Sequence, residues 1–183
     1  MKGHDAGAEV EFLSDRYGRP LDLAHTLPDT SFRPVSTRRE AEVAMAIRRP
    51  NGKILLQTKT NYPGGVFRIP TGGLKRGEAI ERALLRETQE ETALDVDIRE
   101  FIAVLSYRSK SKEVVFKSYL FLLDETGGTL QEEDPEEGIT GWIEADTAEL
   151  RSTAQQLRTG PKSWRNWGDF RALVIDALLP ALQ

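Results

Sequence analysis

The chain contains no cysteine. Disulfides, thiol nucleophiles and cysteine–zinc sites are thereby excluded. Histidine is almost as scarce: His4 and His25 are the only two, both near the N-terminus. A serine-type triad or a histidine-rich metal centre does not come from such a composition, and catalytic chemistry falls to carboxylates. A basic excess is also missing. The 25 Lys and Arg stand against 29 Asp and Glu, a formal net charge of −4, which argues against a general nucleic-acid binder. Long apolar runs are lacking too, the C-terminal one being broken by Asp176 and Pro180, so no membrane span is expected. Met1-Lys2-Gly3-His4-Asp5 leads into polar and acidic residues rather than the apolar run of a secretion signal. These absences give the expectation of a cytoplasmic chain without a membrane partner.

What is present is an ordinary globular balance: 39% hydrophobic and 30% charged residues over 183 positions. That length suits one domain with a real core. Residues 1–38 read as an extension or arm. They hold Pro20, Pro28 and Pro34, with Val10, Phe12, Leu13 and Tyr17 suggesting a short strand or arm. A packed or partly disordered segment is expected there. The functional alternative is an arm exchanged across a homodimer or laid over the substrate.

From residue 39 to 183 the pattern is that of one domain. Glu42 to Arg48 has strand character, Pro50-Asn51-Gly52 signals a turn, and Lys53 to Lys59 reads as the return strand. Val66 to Ile69 predicts a short strand feeding a glycine turn, and Leu94 to Ile98 another strand. Phe101–Tyr107 and Glu113–Leu123 predict a second hairpin with the basic tip Arg108 to Lys112, and Leu122 to Pro135 an acidic loop. Ile139 to Ile143 predicts a late strand, followed by a helix from Asp146 to about Arg158. A last helix from Lys162 to Leu182 sets Trp164, Trp167, Phe170 and Val174 at helical spacing, which favours core packing over stacking on a base. Strands on both sides of a central helix imply a mixed sheet between helices.

The organising stretch is Gly72 to Leu94. A glycine-rich turn, Pro70 to Gly77, leads into a strong helix expected from Glu78 to Thr92. At about 100° per residue, Ile80, Ala83, Leu84, Glu87, Glu90 and Glu91 share one face. That face begins apolar and ends in three carboxylates. They repel one another and lie at the negative end of the helix dipole. A cation compensates such a cluster, and carboxylate oxygens suit the hard ions Mg²⁺ or Mn²⁺.

Gly72, Glu78, Arg86-Glu87 and Glu90-Glu91 stand at the spacing of a known signature, and the stretch resembles the box of the Nudix hydrolases. Thr88 replaces a usual aliphatic residue, Ala93 a usual glycine, and Thr71 a common glycine of the preceding turn. The resemblance implies an α/β/α sandwich with a mixed sheet. It also implies hydrolysis of a diphosphate bond in a nucleoside diphosphate linked to another moiety, with a small nucleotide-type substrate. Glu90 and Glu91 match the family's metal-binding pair, Glu87 joins them as ligand or as base through water, and the carbonyl of Thr71 is the additional ligand by position. Gly72, Glu78 and Arg86 are expected to be structural, the latter two as an ion pair holding the turn to the helix. A further carboxylate commonly precedes a late tryptophan-bearing strand. Glu136, then Glu137, fits that place before Trp142. Arg68 and Lys59 lead the candidates for phosphate contact, followed by Arg48, Arg108 and Lys110. The rival expectation is a module of the same fold that binds a nucleotide without cleaving it.

Overall fold

Ala41–Arg48 does not alternate between buried and exposed residues. Its six central residues are all buried, the pattern of a strand covered on both faces. In the computed structural model, which describes residues 6–32, 41–109, 112–130 and 138–183, this strand (β2) lies inside a seven-stranded sheet. The other strands are β1 (Leu21–Leu27), β3 (Ile54–Lys59), β4 (Thr71–Gly73), β5 (Leu94–Ser109), β6 (Lys112–Gly128) and β7 (Ile139–Ala145). They run in the order β1-β5-β6-β2-β3-β7, with β4 paired to β2. β1 is parallel to β5 and β2 parallel to β6, while the remaining pairs are antiparallel. The sheet is mixed.

Helices cover both faces. α2 (Ile80–Thr92) and α1 (Ala6–Tyr17) pack on one, and α3 (Thr147–Thr159) and α4 (Arg165–Leu178) on the other. Side chains of β2 separate accordingly, Val43, Met45 and Ile47 towards α2, and Ala44 and Ala46 towards α4. The fold is an α/β/α sandwich. Asp146 caps α3 in a reciprocal box with Glu149, as the sequence signal promises. A buried ion pair ties α4 to the sheet: Arg171 Nη1 lies 2.7 Å from Glu42 Oε1, which also accepts from Ser118 Oγ at 2.7 Å.

Several expectations are corrected. The N-terminal segment holds a helix, not a short strand. Val10, Leu13 and Tyr17 fall at helical spacing, and Leu13 is buried among Ile80, Ala83 and Leu84. β1 then extends the sheet from the same segment. Leu94 to Tyr107 is one long strand rather than two, crossed by register shifts between Ile98 and Glu100 and between Phe101 and Ala103. The acidic loop begins later than its composition implies, because β6 pairs Asp124 and Glu125 with Asp97 and Val96 of β5 before ending at Gly128. Val66 to Ile69 forms only a single bridge, Arg68 with Gln57. The terminal helix stops at Leu178, and Pro180 lies in the 3₁₀ turn Leu179–Leu182.

Candidate active site

The site is assembled where β4 meets α2. β4 lines up against β2, with Thr71 opposite Ala44, Gly72 opposite Val43 and Gly73 opposite Glu42. Gly72 is required by close approach. A Cβ placed there would fall within the carboxyl group of Glu87. Without one, the Glu87 side chain lies directly on the β4 backbone. The box thus links a glycine in a strand to a carboxylate fifteen residues later, which its spacing alone does not reveal.

α2 begins two residues later than the sequence suggests, at Ile80. Glu78 belongs to the preceding turn, where its Oε2 accepts from the Lys75 amide at 2.9 Å. Arg86 grips the same carboxylate through Nε at 2.7 Å and Nη2 at 2.8 Å, and Nη2 also donates to the Gly73 carbonyl at 3.2 Å. One guanidinium therefore joins turn, strand and helix. Its hydrogen bond, against a smaller effect of burial and with help from the Lys75 amide, pushes the Glu78 carboxyl down to about 2.

The remaining amino group of Arg86 divides itself between the catalytic candidates. Nη1 lies 2.8 Å from Glu87 Oε1 and 2.7 Å from Glu90 Oε2. Glu91 turns the other way, its Oε1 3.3 Å from Lys59 Nζ on β3. Glu87 and Glu91 are buried, whereas the Glu90 side chain keeps 39% of its exposure. Among the described residues, no three carboxylates or imidazoles are gathered at one point to hold a metal ion. Glu87 and Glu90 meet on Nη1 of Arg86, while Glu91 pairs with Lys59. Electrostatics explains this, since each carboxylate takes the nearest positive charge. The donor set still fits a hard divalent cation. It comprises three carboxylates within one helical turn, beside the Thr71–Gly72 backbone, with no soft ligand among them.

Arg68 closes the other side. It is buried, and its Nε donates to Tyr62 OH at 2.6 Å while Nη1 donates to the Ile69 carbonyl at 2.7 Å and to Thr71 Oγ1 at 3.0 Å. Burial pushes its guanidinium down. Tyr62 and the carboxylates of Glu91 and Glu42 outweigh that and carry it above its ordinary value. Arg68 thus acts electrostatically on the same carboxylate that Lys59 touches.

Other candidates are not brought together. Arg48 pairs with Asp124 at 2.7 Å, and Arg108 is exposed on β5, opposite Thr26 at the sheet edge. Glu136, Glu137 and Lys110 lie outside the described residues. Trp167 is buried, its ring centroid 4.8 Å from that of Tyr62 and 5.1 Å from that of Trp164. Two polar neighbours escaped the sequence reading. Tyr62 has no distinguishing local signal in its loop. Gln57 does have one: it is the polar residue that follows three aliphatic ones in β3, and it is fully buried.

The family model of the NUDIX domain matches residues 38–164. The chain is 33% identical over 88 residues to an ADP-ribose pyrophosphatase of Methanocaldococcus jannaschii, covering 48% of this chain and 52% of that protein. It is 29% identical over 119 residues to the NAD-capped RNA hydrolase NudC of Vibrio atlanticus, covering 63% and 42%. The chain therefore spans about half the length of these curated relatives. Among solved structures, a NUDIX hydrolase from Nitrosomonas europaea superimposes with a TM-score of 0.55 at 19% identity, over 79% of this chain and 91% of that one. That likeness is one of fold.

Proposed function

The chain belongs to the Nudix family, and on that premise we propose that it hydrolyses the diphosphate bond of a nucleoside diphosphate linked to another moiety. The observation that carries this reading is the set Glu87, Glu90 and Glu91 on one turn of α2, beside the β4 backbone and neutralised by Arg86 and Lys59. A diphosphate substrate brings further negative charge to carboxylates that already demand cations. Mg²⁺ or Mn²⁺, when bound, neutralises phosphate charge and lowers the pKa of a bound water.

Glu90 and Glu91 would hold the ion, with Glu87 as a third ligand or as base through water and the Thr71 carbonyl as the additional oxygen. Glu90 is the most exposed of the three. Lys59 and Arg68 would supply positive charge to the phosphate oxygens. Glu136 is the proposed loop carboxylate. Glu78 and Arg86 hold the frame rather than the substrate. Since two of the similar proteins are named for ADP-ribose and for an NAD cap, an adenosine diphosphate linked to a ribosyl group leads the substrate classes, ahead of nucleotide sugars, dinucleoside polyphosphates and triphosphates. A small nucleotide-type partner in the cytoplasm completes the reading. No helix among the described residues is long and apolar enough to cross a membrane.

The test is product release from a panel of these compounds with Mg²⁺ or Mn²⁺. Glu90→Gln is expected to fold normally and to lose about 100-fold or more of the turnover, because an amide is a poor ligand for a hard cation. An unchanged rate removes Glu90 from the site. Silence of the wild type across the panel, with nucleotides still raising its melting temperature, would instead identify a binding module.

A further inference from the structure

β3 sends alternate side chains to the two layers. Ile54 and Leu56 join the cluster under α4, while Leu55 joins the one under α2. Gln57, two residues beyond Leu55, faces α2 as well. Lys59 comes next on that face and reaches Glu91 at 3.3 Å. Across the sheet, Gln57 is in register with Trp142, which packs against the α2-side cluster. On its other side it exchanges backbone hydrogen bonds with Arg68 at 2.9 and 3.0 Å. Gln57 is thus two residues from Lys59, which pairs with Glu91, and is bridged through its backbone to Arg68.

Its side chain has no exposed surface, and among the described residues neither Oε1 nor Nε2 has a hydrogen-bond partner. A buried amide without partners costs folding free energy that a leucine of similar volume would not. Such a cost is understandable where the partners arrive with a ligand. A carboxylate here would repel phosphate, and a third cation beside Lys59 and Arg68 would repel those two. A neutral group that both donates and accepts avoids both penalties.

We propose that Gln57 is a substrate-contacting residue, its side-chain amide donating through Nε2 to an oxygen of the bound diphosphate. This rests on the hydrolase reading above and adds to it a residue outside the signature stretch, on a different element from the carboxylates. No charge passes through Gln57. Its contribution is to the position and affinity of the diphosphate.

The test compares wild type, Gln57→Leu and Gln57→Glu, with Glu90→Gln as reference. Three quantities are read: the melting temperature without ligand, the Kd for ADP with Mg²⁺ by calorimetry, and KM and kcat on the best substrate of the panel. Gln57→Leu is expected to melt a few degrees higher, since the unpartnered amide is gone. It should bind ADP about tenfold or more weakly and raise KM by a similar factor. Gln57→Glu should bind more weakly still. Unchanged Kd and KM in Gln57→Leu would overturn the proposal, whatever the melting temperature does, and would leave a packing role. A lower melting temperature with unchanged Kd would do the same. If the wild type binds ADP without turnover and Gln57→Leu weakens that binding, the hydrolase reading fails while the Gln57 contact stands. If Glu90→Gln is inactive and Gln57→Leu is not impaired, the hydrolase reading stands and the contact fails.

Discussion

The two ends of α2 are held by different physics. At its first turn, Ala79 gives no side-chain cap, and the missing acceptor comes from another helix. Glu9 of α1 accepts from the Ile80 amide at 2.5 Å, Tyr17 OH donates to Glu81 at 2.5 Å, and Leu13 is buried against the same turn. At its last turns there is little apolar contact and much charge: Glu87, Glu90 and Glu91 against Arg86 and Lys59. Burial and capping fix the first end whatever the solution contains. Ion pairs dominate the second, beside the buried hydroxyls of Thr88 and Thr92.

The contrast breaks most sharply at Gly72. Gly72→Ala should lower turnover about 100-fold, since even a small displacement of the Glu87 carboxyl misplaces a reacting group, while the melting temperature moves far less. Full activity in that variant would show that the contact between Gly72 and Glu87 is incidental. At the anchored end the expectation is reversed. Leu13→Ala should destabilise by about 2 to 5 kcal/mol and leave turnover per folded molecule unchanged. A kinetic defect without loss of stability would mean that α1 serves the site directly. Denaturant unfolding paired with active-site titration separates these results.

A smaller effect of opposite sign is expected where α2 ends. Ala93 holds a left-handed conformation, φ 56° and ψ 20°, and donates its amide to the Gln89 carbonyl. This conformation strains any residue with a Cβ. Ala93→Gly should therefore stabilise by about 1 kcal/mol, less the added freedom of the unfolded chain. A lower melting temperature would show that the Ala93 methyl packs well enough to repay its strain.

The mildest probe is pH. Burial and the hydrogen bond to Glu81 raise the Tyr17 hydroxyl to about 12 from 10.0. Its contribution is complete below pH 10 and is lost as pH rises towards 12. Glu78, lowered to about 2 from 4.5 by Arg86, behaves oppositely, contributing fully above pH 4.5 and failing as pH falls towards 2. Melting profiles should lose the alkaline step in Tyr17→Phe and the acid step in Glu78→Gln. A step retained in either variant would assign it to another group.

The charged face of α2 was legible because a helix imposes its own geometry. Glu87, Glu90 and Glu91 share a face by spacing alone, and Arg86 lies near enough in sequence to Glu78 for their bond to be anticipated. Thr88, a departure from the pattern, also proves to be local in its consequences, its Oγ1 bonding the Leu84 carbonyl at 2.8 Å. The α1 segment was not legible. Its few apolar residues fit an arm as well as a helix, and the partners that settle the matter, Ile80 and Glu81, stand more than sixty positions away. The acidic stretch after Leu122 misled for a similar reason, since pairing with β5 outweighs its composition.

By itself the sequence determined the period of α2 and the placement of its carboxylates on one helix face. It did so because these depend on residues within a few turns of one another. The tertiary structure decided which cation each carboxylate meets, that Gly72 must leave room for Glu87, and that α1 completes the first turn of α2. It also decided that Gln57 is enclosed beside Lys59 and Arg68. Each of these turns on chain segments brought together by packing across the sheet, and packing is a property of the whole core rather than of any stretch within it.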